Sequence, residues 1–172
     1  SVLKSLSDQV HGVRMADPVG FQLQDFLERP FATLRSRKGG EFDGKTSANA
    51  WTQCRILDVP RCIEAMVFRG EPVTFQLELT DPIGAFLPES CVWETTAGSY
   101  VVTLGKTSSA TRGKDRTLPV VSCSVNDLSR LWIGSASAEA LATVGTLRAS
   151  PELLTSIDNI VNLPSPNVDW DF

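Results

Sequence analysis

The last six residues, NVDWDF at 167–172, hold the side chains best suited to chemistry. Two carboxylates alternate there with two aromatic rings, and the terminal carboxylate lies beside them. Carboxylates attract cations and accept protons. A passive terminus rarely carries Trp and Phe, since burying each of these side chains is worth roughly 2 kcal/mol or more.

We therefore expect Trp170 and Phe172 to dock against the protein or against a partner subunit. Pro164 and Pro166 precede them and restrict the chain to extended conformations, which lowers the entropy lost on docking. A docked tail would hold the terminal carboxylate and the carboxylate of Asp171 at a defined place.

Other reactive residue types are sparse. His11 is the one histidine, and we expect it to lie on the surface of another domain, which excludes a histidine-based triad within the main domain. No Gly-rich phosphate loop of the nucleotide-binding type occurs, so we expect no cofactor in this chain.

The four cysteines form no CxxC pair and lie among apolar residues, which is typical of buried structural thiols. They are Cys54, Cys62, Cys91 and Cys123. The pattern predicts no metal site and no disulfide framework, and it indicates a reducing, cytoplasmic compartment.

The charge argues against nucleic acid as a partner. The net charge is −4 with a pI of about 5.0, and the densest basic run, Arg35, Arg37 and Lys38, is interpreted as a solvated turn. No apolar run is long enough to span a bilayer.

Residues 1–35 show two short helical faces around a strand, which is too little for a core, and we interpret them as the tail of another domain. Residues 36–50 are rich in Gly, Ser and charge and are predicted to form a linker. The main domain is then 51–172.

The main domain is predicted to contain strands first and helices afterwards. The predicted strands are 51–57, 73–80, 91–95, 100–104 and 120–125, with a hairpin at Ala97-Gly98 and a polar loop over 105–117. A helix over 59–66 follows the N-cap Asp58. Later helices are predicted after the caps Asn126, Ser137 and Ser150, the first two ending before Gly134 and Gly145. This order predicts an α+β fold, a mostly antiparallel sheet with helices on one face.

These segments resemble a known family. WTQCRILDVPRCIEAM is similar to the opening of the sterol-carrier-like domain in the enhanced intracellular survival family of N-acetyltransferases. VTFQLELTDPI, SYVVTLG, NDLSRLWIGSASAEALATVG and the terminal DWDF follow in the same order. In that family, two acetyltransferase-like (GNAT) domains precede the sterol-carrier-like domain, and SVLKSLSDQV with FQLQDFLERPF resembles the end of the second.

The resemblance implies transfer of an acetyl group from acetyl-CoA to amines, aminoglycosides and lysine side chains among them. It implies that the terminal carboxylate, here that of Phe172, is the general base in the first domain's active site, while Asp171 helps to bind the cationic substrate. The acetyl-CoA-binding domain is absent from this sequence, so we expect the chain alone to be inactive and to self-associate as a homo-oligomer through exposed apolar surface.

A second hypothesis is an apolar-ligand or lipid-binding module without catalysis, because sterol-carrier domains can hold apolar ligands between sheet and helices. The side chains that could line such a tunnel are Val73, Phe75, Leu77, Leu131, Trp132, Leu153 and Ile157. A filled core is the simpler interpretation of the same residues.

Overall fold

The protein is described here by a computed structural model. It describes residues 53–164 and 166, together with Phe26, Leu34–Arg35 and Lys45–Thr46. The chain divides into two units, Ser1–Gln53 and Cys54–Phe172. In the first, β1 (Leu34–Arg35) pairs antiparallel with β2 (Lys45–Thr46), which lies within the predicted linker. The predicted helices and strand further upstream lie outside the described residues, Phe26 excepted.

The second unit contains a four-stranded sheet in the order β5–β4–β3–β6. Its strands are β3 (Val73–Thr80), β4 (Gly98–Leu104), β5 (Ser109–Arg112) and β6 (Val120–Ser124). β3 pairs antiparallel with β4 and parallel with β6, and β4 pairs antiparallel with β5. The sheet is therefore mixed, and the predicted α+β class is confirmed.

Alternation along the central strands builds the core. Phe75, Leu77 and Leu79 are buried on β3, and Leu77 lies opposite the buried Tyr100 of β4. Successive side chains point to opposite faces of a strand, so these residues share the face on which the helices pack. Full burial of a side chain of this size contributes roughly 1.5–3 kcal/mol, and the same cluster includes residues of every α-helix described below.

Within residues 53–164, four α-helices and one 3₁₀ helix accompany the sheet. They are α1 (Val59–Glu64), the 3₁₀ helix (Pro82–Phe86), α2 (Val125–Trp132), α3 (Ala138–Thr143) and α4 (Pro151–Ile160). Each begins after a polar side chain that accepts a hydrogen bond from a first-turn N–H. In chain order these caps are Asp58, Asp81, Ser124, Ser137 and Ser150. The predictions of Asp58, Ser137 and Ser150 as caps are confirmed.

The predicted cap Asn126 is wrong by two residues. Ser124 Oγ accepts from the N–H of Asp127 at 3.3 Å, while Asp127 Oδ2 accepts from the N–H of Ser124 at 3.4 Å. This reciprocal capping box satisfies two backbone donors. The helix therefore begins directly after β6.

Two strand predictions and one loop prediction are also wrong. Residues 53–57 form no strand, and the N–H of Ile56 instead donates to Ser129 Oγ on α2 at 3.0 Å. Residues 91–95 form no strand either, so the predicted hairpin at Ala97-Gly98 does not form. The predicted loop over 105–117 contains β5, a polar edge strand in which Ala110 is the only buried residue.

Candidate functional site: the root of the C-terminal tail

The predicted site residues, Asp171 and Phe172, lie outside the described residues, as does Trp170. The structure describes the segment from which this tail begins, Leu163 and Pro164. Phe172 is eight residues beyond Pro164, so an extended tail places the terminal carboxylate within about 28 Å of that root.

The chain turns sharply where α4 ends. The N–H of Val161 donates to the carbonyl of Ile157 at 2.8 Å and closes the last turn of the helix. The N–H of Leu163 then donates to the carbonyl of Val161 at 2.9 Å. Leu163 packs against the core while Pro164 is exposed, so the tail begins where the chain leaves the core surface.

Gly134, just past the end of α2, lies in close contact with Leu163 and Pro164. Its φ is +74°, and a Cβ built on it would lie 2.9 Å from Leu163 Cβ and 2.9 Å from the carbonyl oxygen of Pro164. Real Cβ atoms do not approach other atoms so closely. Only glycine allows the two segments this contact, because it has no Cβ and tolerates positive φ.

The end of α2 that carries Gly134 is itself held firmly. Leu128 and Leu131 are buried, and the indole N–H of Trp132 donates to the carbonyl of Cys62 on α1 at 2.9 Å. Leu163 and Pro164 therefore contact the end of α2, which is held by the core and by a hydrogen bond to α1.

A second cluster of polar groups surrounds Asp81, whose side chain is fully buried. Its carboxylate accepts hydrogen bonds from Arg55 Nη2 at 2.5 Å, from Thr96 N and Oγ1 at 3.0 and 2.8 Å, and from Ile83 N at 3.2 Å. We call Asp81, Arg55 and Thr96 the Asp81 cluster. It joins the two ends of the connection between β3 and β4.

The Asp81 cluster is unsuited to proton transfer at neutral pH. Burial alone would raise the pKa of Asp81, but hydrogen bonds from Arg55, Thr96 and Ile83 outweigh it and lower the pKa from 3.8 to about 2. A general base works best with a pKa near the working pH. The cluster is therefore structural, and neither the pairing of Asp81 with Arg55 nor the contact of Gly134 with Pro164 was predicted from the sequence.

The cysteines differ from the prediction that all are buried. Cys123 is buried and Cys62 half-buried, whereas Cys54 and Cys91 are exposed, and all four are free thiols. Burial, reinforced by the negative charge of Asp127, raises the pKa of Cys123 to about 12. Cys123 is therefore protonated at neutral pH and is not a nucleophile.

No group of three or more His, Cys, Asp or Glu side chains in the described part of the chain could hold a metal ion. In each described α-helix the cap side chain accepts a hydrogen bond from one first-turn N–H. No helix within residues 53–164 is long and apolar enough to cross a membrane.

The apolar residues proposed to line a ligand tunnel belong to the hydrophobic core or pack against it. Five of the seven are buried, and Val73 and Trp132 pack against them. Core packing accounts for this set.

Comparison with known proteins finds similarity to the sterol carrier protein domain and to N-acetyltransferases. The family described as the sterol carrier protein domain matches residues 59–168. A Streptomyces avermitilis protein named an uncharacterized N-acetyltransferase is 31% identical over 107 residues, which are 62% of this chain and 23% of that protein.

Two crystal structures of GCN5-related N-acetyltransferases share the fold. The one from Anabaena variabilis aligns with a TM-score of 0.52 at 21% identity over 65% of this chain and 26% of that one. The one from Kribbella flavida aligns with a TM-score of 0.50 at 23% identity over the same shares. The chain thus spans about a quarter of the length of these relatives.

Proposed function

The chain belongs to the sterol carrier protein domain family, and from this premise we propose that it works as the C-terminal part of an acetyl-CoA-dependent N-acetyltransferase acting on amines. The observation that carries the proposal is the 31% identity to a protein named an N-acetyltransferase, of which this chain matches about a quarter. The remaining three quarters of such a protein have room for the acetyl-CoA-binding domain.

The terminal carboxylate of Phe172 is the general base in this proposal. It accepts a proton from the substrate ammonium, and the freed amine lone pair attacks the thioester carbonyl. A new C–N bond forms and the C–S bond breaks. The nitrogen releases its second proton to solvent, and coenzyme A leaves as a thiolate that a group outside this chain protonates. Asp171 binds the cationic substrate by charge attraction. A general base must lie within hydrogen-bonding reach of its proton, and the packing of Leu163 against the core supports this role by anchoring the start of the tail.

The acetyl-CoA site belongs to the remainder of the protein in this proposal. We therefore predict that the isolated 172-residue chain does not bind acetyl-CoA. Titration calorimetry tests this, and a clear micromolar affinity would contradict the division of roles.

The base assignment is tested by lengthening the tail of the full-length protein. One residue added after Phe172 moves the terminal carboxylate by about 3.5 Å and is expected to lower kcat by about 100-fold or more, since general-base catalysis contributes typically 10²–10⁴-fold. The melting temperature should not change. An extended protein that acetylates a primary amine at the native rate would refute the assignment.

Asp171→Asn is the companion variant. It preserves the tail's length and removes one negative charge, so KM for a cationic amine should rise while KM for acetyl-CoA does not change. Steady-state kinetics with a cationic and a neutral amine measure the difference. A similar rise for both amines would argue against charge recognition.

Self-association of the chain remains a prediction. Phe86 and Val92 are 83% and 97% exposed in the connection between β3 and β4, and apolar surface of this kind favours association. Light scattering over a concentration series tests it. A strict monomer at the highest concentration would refute it, and the double variant Phe86→Ser, Val92→Ser should weaken any association.

A further inference from the structure

The connection between β3 and β4, residues 81–97, combines exposed apolar side chains with acidic ones. Apart from the buried Asp81, its charged residues are Glu89 and Glu94, and it contains no Lys or Arg. Neither glutamate forms an ion pair within the described part of the chain. We call residues 82–94 the acidic connection. Its large exposed apolar side chains are Ile83, Phe86, Val92 and Trp93.

The acidic connection is anchored to the sheet at its base. Asp81 accepts hydrogen bonds from Thr96 N and Oγ1 at 3.0 and 2.8 Å, which joins the two ends of the connection. Arg112 Nη2 on β5 donates to the carbonyl of Thr95 at 3.3 Å. Long surface connections that leave a rigid scaffold are often binding segments. The exposed apolar groups therefore belong to a segment fixed to one end of the sheet.

A basic segment, residues 112–116, lies at the same end of the sheet. It begins at Arg112, which is paired with Tyr100 near the start of β4, where the acidic connection ends. The buried Gln76 holds this segment in place, because its amide donates to the carbonyl of Gly113 at 3.2 Å and accepts from the N–H of Asp115 at 2.7 Å. Asp115 is its one acid, and its cations are all exposed: Arg112, Lys114 and Arg116.

We infer that the acidic connection and the basic segment together form an interface with a second copy of this chain. Two neighbouring segments of opposite charge are self-complementary, since a two-fold rotation sets the acidic connection of each copy against the basic segment of the other. A partner surface with a single sign of charge would be repelled by one of the two segments. A second copy carries both signs in the order that a two-fold axis requires.

The exposed apolar side chains supply the burial in this interface, and the charges select the partner and its orientation. The inference rests on the self-association proposed above and names its surface, its partner and its charge pattern. Acetyl transfer plays no part in it.

Charge reversal on each side tests the interface in the 172-residue chain, whose second unit has its own hydrophobic core. The cationic variant is Glu89→Lys with Glu94→Lys, and the anionic variant is Lys114→Glu with Arg116→Glu. Each should lower the association constant at least about tenfold, because like charges then oppose each other across the interface. An equimolar mixture should regain the native association, because both contacts again join opposite charges. Sedimentation velocity over a concentration series measures all three.

Two matched controls lie at the other end of the sheet. The exposed Glu71 and Lys106 flank the start of β3 and the end of β4, which pair through Val73 and Leu104. Glu71→Lys and Lys106→Glu should therefore associate as the native chain does. Raising the salt from about 0.1 to 1 M shortens the Debye length from about 10 to 3 Å and should weaken the native association.

Arg116→Glu alone covers the case in which Lys114→Glu disturbs the fold, because Lys114 Nζ lies 3.7 Å from Glu78 Oε1. It should also weaken association and regain it when mixed with the cationic variant.

The possible outcomes separate this inference from the proposals that precede it. Native association that neither charge variant weakens, or that the mixture does not restore, would overturn the inference while self-association stands. A strict monomer would overturn both. Loss of association in each variant with recovery in the mixture would support the inference, whether or not the full-length protein transfers an acetyl group.

Discussion

The Asp81 cluster and the tail root hold the chain in place by opposite means. At the cluster, a buried carboxylate collects charge-assisted hydrogen bonds from Arg55 and Thr96. At the root, Gly134 admits the backbone of Leu163 and Pro164 by lacking a side chain. The first arrangement depends on charge and hydrogen bonding, and the second depends on shape.

This difference implies a division of labour. Charge-assisted hydrogen bonds within a folded domain contribute directly to the free energy of unfolding. The contact at Gly134 depends instead on a left-handed backbone and on the lack of a Cβ. Changes at the cluster should therefore lower stability with little effect on kcat per folded molecule.

The largest expected effect on stability comes from Asp81→Asn. The substitution leaves the mostly buried Arg55 cation without its carboxylate, and Arg55 Nε is already buried with no hydrogen-bond partner. Breaking a buried pair costs roughly 3–5 kcal/mol. Since Arg55 retains 27% side-chain exposure, we expect about 3 kcal/mol.

Denaturant unfolding measures this loss, with Glu71→Gln at an exposed carboxylate as the control. Acetyl transfer per folded molecule should stay native in both variants of the full-length protein. A destabilisation below about 1 kcal/mol, or a selective loss of kcat in Asp81→Asn, would contradict the purely structural role of the Asp81 cluster.

Acid should have the next largest effect. The pKa of Asp81 is lowered from 3.8 to about 2 in the folded protein, so the unfolded chain binds the proton more readily. The resulting stabilisation is fully present above about pH 4 and is lost as the pH falls through about 2, and it amounts to about 2 kcal/mol. Unfolding followed from pH 5 to pH 2 should show this loss in the native protein. Asp81→Asn should lack this part of the pH dependence, and an identical slope in both proteins would refute the assignment.

A smaller effect is expected for Thr96→Val. The buried Thr96 donates its hydroxyl to Asp81 at 2.8 Å, and valine preserves the branched shape while removing that donor. The backbone N–H of Thr96 still bonds the carboxylate, so we expect about 1 kcal/mol of destabilisation. Thr111→Val, at an exposed position on β5, is the control, and equal stabilities would show that the hydroxyl contributes nothing.

Local signals allowed much of the fold to be predicted. The alternation over Val73–Thr80 predicted a half-buried strand, and Asp58, Ser137 and Ser150 predicted helix starts, because both patterns are set by neighbouring residues. β5 was missed because an edge strand with one buried residue shows no alternation. Residues 91–95 have strand-like composition, but Asp81 holds Thr96 beside the 3₁₀ helix, a contact that composition does not reveal.

The candidate site could be predicted only in part. Composition alone drew attention to the tail and to Asp171 and Phe172. The contact between Gly134 and Pro164, and the pair formed by Arg55 and Asp81, depend on residues that are distant in the chain. The sequence pattern predicted that a helix ends at Gly134. It did not predict that Leu163 and Pro164 pack against this glycine.

The central claim, that the terminal carboxylate of Phe172 is the general base, is tested most directly by converting it to a carboxamide through semisynthesis of the full-length protein. The amide preserves the length of the tail and the aromatic side chain while removing the proton acceptor. We predict a kcat for amine acetylation at least about 100-fold below that of a semisynthetic protein with the native carboxylate, at an equal melting temperature. Equal kcat values for the carboxamide and the carboxylate would contradict the account.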